Sequence, residues 1–471
     1  MPFLHSAFLA QVLLLAVILT VQAAHDNYPV RSINIESADA VDYYETFDLN
    51  NVFGYFADPH AVHGSPTSDG GSVLCGKANS NSGGGVIAFV VKLRQDGTFE
   101  WGWRSTTASA CNAVIEVAGG DVLAVGYEIS NNRAQRSLTK LSSSTGSIQW
   151  TVRMGSSNSQ KPHGAWEMAE INGNQLILSG LTNSADINEF WFKSYGNVVD
   201  GQAIVQTYDV TQLSATLQES DALFTYVNQN GFFTCKSAKS ANDGTTIALM
   251  FSEEVTAALV LLDSNGTPIW GPQAYSNFEG TDVAVATDGS GFVVTGHGGD
   301  TDGIAGKLLK ASAATGSVEW IQDYRSVPSS GAGSNYEYVY TECWGVTALP
   351  DGGYALSCGT GLEECSVLPT SSLRQSCNQG NAILLDTRAG AIARPVEIWQ
   401  SMIVRTNAQG QVVWQRVDQY SPNGNTLNEY HSSAAEWIFL SKDGSLVAVN
   451  DEGTGIGLLK LESSGGTASP V

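Results

Sequence analysis

His60-x-x-His63 sets two imidazoles at a spacing found in metal sites, and imidazole nitrogen is the commonest neutral ligand for such ions. His297-Gly-Gly-Asp300-Thr-Asp302-Gly resembles an acidic calcium loop, but it lacks the regular ligand spacing and the bidentate Glu of an EF-hand. A second acid pair, Asp451-Glu452, also lies beside a glycine. Asp300, Asp302, Asp451 and Glu452 are therefore the leading expected ligands for a hard cation, Ca2+ above all. Further imidazoles and acids at comparable places are His163, His297, Glu342 and His431. No G-x-S-x-G elbow, H-E-x-x-H helix or glycine-rich phosphate loop is present, so no motif identifies a catalytic residue.

Seven cysteines are available for cross-linking: Cys75, Cys111, Cys235, Cys343, Cys358, Cys365 and Cys377. Their spacing does not suggest zinc. Cys365 and Cys377 bracket a polar loop and are the expected disulfide, with Cys75–Cys111 a weaker second pairing. Asn265-Gly266-Thr267 is a glycosylation sequon in an expected turn.

Charge and targeting narrow the function classes. The formal net charge is −23, which argues against nucleic-acid or anionic-membrane partners and favours attraction for cations. An apolar run from Phe8 to Val21 precedes Gln22-Ala23-Ala24. It is short for a membrane span and is followed by small residues, so residues 1–23 are read as a secretory signal peptide and 24–471 as the mature domain. No later stretch is apolar enough to span a bilayer. The expected setting is extracellular.

These residues must be positioned by a repeat. Gly97-Thr-Phe-Glu-Trp101, Gly146-Ser-Ile-Gln-Trp150, Gly266-Thr-Pro-Ile-Trp270, Gly316-Ser-Val-Glu-Trp320 and Gly410-Gln-Val-Val-Trp414 each follow an apolar run such as Phe89-Val-Val-Lys-Leu93. A unit recurring at about 50 residues means one supersecondary element stacked on itself. Each unit reads as four short strands, a to d, with a tight turn between a and b, such as Asp69-Gly70 or Asp443-Gly444. Seven units follow: 60–105, 109–155, 163–213, 232–276, 279–325, 340–418 and 431–463. Residues 214–231 read as an insertion after the third.

The seventh unit stops at Leu459-Lys460-Leu461 without its Trp strand, and Val41-Asp-Tyr-Tyr-Glu-Thr-Phe47 resembles what that strand should be. The expectation is an all-β chain: a single β-propeller of seven four-stranded blades, its ring closed by the N-terminal strand. The repeated Trp residues should pack between blades rather than stack on a ligand.

The Lys92-Leu93…Gly97…Trp101 pattern and Asp351-Gly-Gly-Tyr-Ala-Leu-Ser357 resemble the propeller repeats of the quinoprotein alcohol-dehydrogenase-like superfamily across nearly the whole mature chain. Thr145-Gly146…Trp150 and Thr315-Gly316…Trp320 are similar to the tryptophan-docking motif of its quinone enzymes. That motif has Asp where this chain has Ser142 and Ser312, and those enzymes have eight blades and adjacent cysteines. The resemblance implies the architecture. It carries over no catalytic residue and no quinone.

In a propeller the b–c and d–a loops share one face, and binding residues gather on loops of a rigid scaffold. Glu128, Asp186, Glu253, Glu254, Glu363 and Glu364 join the acid pairs named above in the b–c loops, while His60, His63, His163, Glu342 and His431 fall at d–a loops. The reading is a secreted, non-catalytic propeller that binds a protein or carbohydrate ligand through this acidic face. The alternative is an extracellular metal-assisted hydrolase or lyase, or a quinoprotein-like oxidoreductase.

Overall fold

The structure, a computed structural model, describes residues 41–53, 56–80, 86–130, 133–155, 163–184, 201–229, 231–241, 244–252, 256–300, 303–325, 340–361, 371, 375, 383–384, 393–394, 399–418, 433–451 and 455–461. Seven four-stranded antiparallel sheets succeed one another along the chain, as the repeat predicts. Blade one spans 56–104, blade two 109–154, blade three 163–227, blade four 234–276, blade five 279–324 and blade six 340–418. Blade seven combines three strands of 434–461 with the N-terminal strand Val41–Phe47. That strand runs antiparallel to Ile456–Leu461, with Phe47 opposite Ile456 and Val41 opposite Leu461. First strands touch in succession from blade one to blade seven and back to blade one, so the ring is closed.

The core lies between blades, because each sheet offers an apolar face to both neighbours. Leu349, Ile403 and Trp414 of blade six meet Ile438, Leu446 and Leu461 of blade seven in one such layer. The Gly…Trp motif supplies the contact at the outer strand, and its two ends serve different neighbours. Trp101 of blade one donates its indole N–H to the Ser143 carbonyl in the blade-two turn (2.8 Å), and Trp270 of blade four does the same to Ala313 of blade five (2.9 Å). Gly316, at φ +70°, forms that blade-five turn, and an added Cβ would lie 2.6 Å from the Trp270 ring. Glycine is therefore required twice there, by the left-handed backbone and by the docked indole.

Blade three departs from expectation. Its fourth strand, Phe224–Val227, lies inside the stretch read as an insertion. Two 3-10 turns, Val210–Gln212 and Glu219–Asp221, fill the connection before it and bring Glu219 to the buried guanidinium of Arg136 in blade two. Phe224 takes the place of the Trp: an added Cβ on Gly266 of blade four would meet it at 2.5 Å.

The expected Cys75–Cys111 disulfide is absent. Cys75 Sγ instead donates to the Cys111 carbonyl oxygen (3.4 Å), and Cys75, Cys111 and Cys235 are buried thiols. Cys343 and Cys358, directly opposite across the first two strands of blade six, form a disulfide. Cys365 and Cys377 lie outside the described residues.

The a–b turn acid is tied to the end of the third strand in several blades, because strands two and three pair there. Asp69 meets Lys92 (2.5 Å), Asp121 meets Lys140 (3.0 Å), Asp351 meets Arg405 (3.0 Å) and Asp443 meets Lys460 (2.8 Å). Burial alone would raise the Asp69 pKa. Hydrogen bonds from Lys92, Thr67 and the Gly71 N–H, with the Lys92 charge, hold it at about 2. Asp443 is burial-opposed in the same way and held well below the usual carboxylate range by Lys460, Ser441 and Ser445.

A depressed folded pKa adds stability above the ordinary carboxylate value, and that stability is lost as pH falls through the folded pKa. Asp69→Asn and Asp443→Asn should each lower stability at pH 7 by only ~0.5 kcal/mol, since these carboxylates are 52% and 43% exposed. Melting curves from pH 7 to pH 2 should show wild type and variants converging below about pH 4. Parallel acid limbs would refute the assignment.

Candidate functional site

The first strand of every blade carries one extra residue at the same register. The inserted residues are Val62, Asn112, Glu167, Lys236, Thr281, Trp344 and Glu436. A bulge re-aims its side chain and breaks the alternation of faces. Two of these side chains stitch neighbours together: Asn112 donates to the Trp166 carbonyl of blade three (2.7 Å), and Thr281 to the Cys343 carbonyl of blade six (2.9 Å). Deeper in the ring, Lys239 of blade four reaches the Trp437 ring of blade seven, 5.6 Å from its centroid. The first strands thus enclose a narrow polar interior. Burial raises the Glu170 pKa there, with Asp282 adding to the rise and Lys239 and the Ser240 N–H opposing it.

At the loop-bearing end, blades four, five and six bring together Lys236, Glu279, His297, Glu342 and Trp344. Glu279 opens the first strand of blade five and lies directly opposite His297 on the second. Their side chains meet at 3.4 Å. Burial would raise the Glu279 pKa, but the His297 hydrogen bond and the Lys236 and His297 charges bring it to about 2. Burial would likewise lower His297, but the Glu279 hydrogen bond and the Glu342 and Glu279 charges lift it above its ordinary value. The His297 ring stands edge-on to Trp344, with centroids 5.2 Å apart. His297 Nδ1 and Trp344 Nε1 are both buried without a hydrogen-bond partner among the described residues.

The remaining expected residues are placed as follows. His60 binds Asp451 across the closure of the ring (Nδ1 to Oδ2, 2.5 Å). His63 does not join it. Three residues deeper and 3% exposed, it accepts the Val114 N–H through Nδ1 (3.2 Å) and stacks on Trp437 at 4.4 Å. Its strand descends into the interface of blades one, two and seven, so the two-imidazole spacing does not form a metal pair.

Asp300 ends the second strand of blade five opposite Gly303, while Asp451 ends that of blade seven. Blade six stands between Asp300 and Asp451, so these two expected calcium ligands belong to non-adjacent blades. Glu128 accepts two hydrogen bonds from Arg153 (2.8 and 2.6 Å), and so is not a solvent-facing acid. His163 opens blade three, paired with Ser184. Asn265 is exposed in its turn. Asp302, His431 and Glu452 lie outside the described residues. Among the described residues no group of three or more His, Cys, Asp or Glu side chains is placed to hold a metal ion, and no helix is long and apolar enough to cross a membrane.

Lys236, Glu279 and Trp344 were not singled out by sequence reasoning. The available signal was a polar or bulky residue interrupting the apolar first strand at one register, as in Cys235-Lys236-Ser237 and Ala435-Glu436-Trp437.

No protein-family model matches the chain, and no curated protein matches it in sequence. Among solved structures it is similar to the Dos1 propeller, with TM-score 0.45 and 8% identity over 85% of this chain and 78% of that one. It is also similar to Sqt1 of Chaetomium thermophilum, with TM-score 0.40 and 13% identity over 91% and 98%. Sqt1 bound to the N-terminus of the ribosomal protein L10 matches with TM-score 0.39 and 13% identity over 87% and 99%.

Proposed function

We propose that this chain is a non-catalytic binding propeller whose partner docks at the loop-bearing mouth of the ring, against blades four to six. The observation that carries this reading is the pair of buried polar atoms, His297 Nδ1 and Trp344 Nε1, on rings in edge contact and without hydrogen-bond partners among the described residues. A buried donor left unmade costs about 1–3 kcal/mol, so a fold keeps two together only against some return. Trp344 Nε1 is always a donor, and a protonated His297 offers a second. The occupant they fit presents an acceptor oxygen, as a peptide carbonyl or an acidic side chain does. The occupant is then a polypeptide segment.

The same reading sets the protein outside the cell. The apolar leader, the sequon on an exposed turn at Asn265 and a disulfide in blade six all suit an oxidising compartment.

Trp344→Phe removes the indole N–H together with part of the ring, and His297→Gln removes the imidazole. Polypeptides retained by immobilised wild-type protein should bind the double variant at least about 10-fold more weakly, the scale of one lost hydrogen bond. The partner-free double variant should be somewhat less stable than wild type, because His297→Gln gives up the Glu279 contact and Trp344→Phe leaves a void, so binding is compared on protein shown to be folded. A variant that retains the same polypeptides at the same affinity would refute the reading.

A further inference from the structure

Away from the mouth, blades one and two part around a cavity of about 180 Å³. Small residues open it: Ala88, Ala110, Ala124 and Gly126 line its floor. Its polar wall is a local exchange of core residues. At the third-strand position where blades one, four, five, six and seven place Val91, Val260, Leu309, Val404 and Leu459, blade two places Thr139. Thr139 is hydroxyl-paired with Thr151 on the fourth strand (3.1 Å). Ser137, also on the wall, makes no side-chain hydrogen bond among the described residues. Trp103, two residues past Trp101 on the same strand, supplies an aromatic side.

The charged groups at this cavity cancel. Arg153 grips Glu128 with two hydrogen bonds, and Thr107 donates to the same carboxylate (2.8 Å). An anionic ligand would find the guanidinium committed, and a cation the carboxylate. What remains is a set of hydroxyl donors and acceptors, a neutral ion pair with spare lone pairs and one partly exposed indole face. Indole offers a large apolar area to ring C–H groups, while hydroxyls at the rim pair with hydroxyls. At ~30 Å³ per water the space equals about six waters, the bulk of one sugar ring rather than a chain.

We infer that this inter-blade cavity is a binding site for a single neutral sugar residue, free or at the end of a glycan, separate from the polypeptide site at the mouth. The test is ligand-observed NMR on the full protein with neutral hexoses, pentoses, N-acetylhexosamines and inositol, alongside glucuronate and glucosamine as charged arms. At least one neutral sugar should bind saturably below roughly 50 mM. Trp103→Ala should weaken it at least tenfold. Ser137→Val, which fills the cavity with an apolar group, should do the same and guards against a misfolded Trp103 variant. Trp344→Phe should leave sugar binding unchanged, so failure here and failure of the mouth reading are distinguishable. No saturable binding across the panel, tighter binding of a charged arm, or binding indifferent to Ser137→Val in a folded variant would each overturn the inference.

Discussion

Deletion of residues 25–48 should lower the melting temperature by about 5 °C or more, or leave an aggregating protein. The N-terminal strand Val41–Phe47 is the fourth strand of blade seven and covers the edge of Ile456–Leu461, whose other edge pairs with Leu446–Asp451. Ile456 and Leu458 are wholly buried, and Phe47 packs against the same cluster. Uncovering Ile456 and Leu458 and losing the partly buried Phe47 costs about 1.5–3 kcal/mol for each side chain, or roughly 5 kcal/mol together. For a chain of 471 residues the scale is ~1 °C per kcal/mol, and a shift of about 5 °C follows from these side chains. The loss extends beyond one blade. Blade seven touches both blade six and blade one, and its bare third strand would present unpaired N–H and C=O groups to other chains. A peptide of residues 40–49 added in trans should restore part of the lost melting temperature by completing the sheet. A truncated chain that melts with the full-length mature protein would show that the strand pairing does not hold the ring.

That strand was legible from the sequence because the repeat was short by one element at one end and carried a spare at the other. The motif worked wherever turn chemistry and the docked Trp recurred together. It failed in blade three, where Phe224 replaces Trp and two 3-10 turns replace a tight glycine turn, so neither half of the signal was present.

The site was legible in part. His297 and Glu342 could be assigned to the loop-bearing end by counting strands. Their neighbours Lys236 and Trp344 could not, because a bulge changes which way a side chain points without changing composition. Two of the acids counted as an open face are instead paired with other side chains. Asp451 is held by His60, 391 positions away, and Glu128 by Arg153. Cys343 and Cys358 were missed for a related reason. Their pairing depends on exact hairpin register, whereas the sequence drew attention to cysteines that bracket a loop.

Trp101→Ala should destabilise the protein by about 3–5 kcal/mol, the usual cost of removing a core aromatic. Trp101 is 6% exposed, sits in the layer shared by blades one and two, and gives its N–H to Ser143 of the next blade. Gly146 of that same blade-two turn has φ +64°, and an added Cβ would overlap the Trp101 ring. Gly146→Ala should therefore cost about 1–3 kcal/mol, from the strained backbone and the clash together. The two effects are coupled: once the indole is gone, the added methyl meets no ring, and only the backbone strain remains. The double variant should be more stable than the sum of the single losses by at least ~1 kcal/mol. Ile148, two residues beyond Gly146 but 54% exposed, is the control, and Ile148→Ser should stay within ~0.5 kcal/mol of wild type. Chemical denaturation of all four proteins decides the matter. Additive losses would mean that the Gly…Trp repeat records two independent turn and core preferences. Coupled losses would mean that each copy of the motif is half of two interfaces, which is why the repeat keeps glycine and tryptophan in five blades while the residues between them vary.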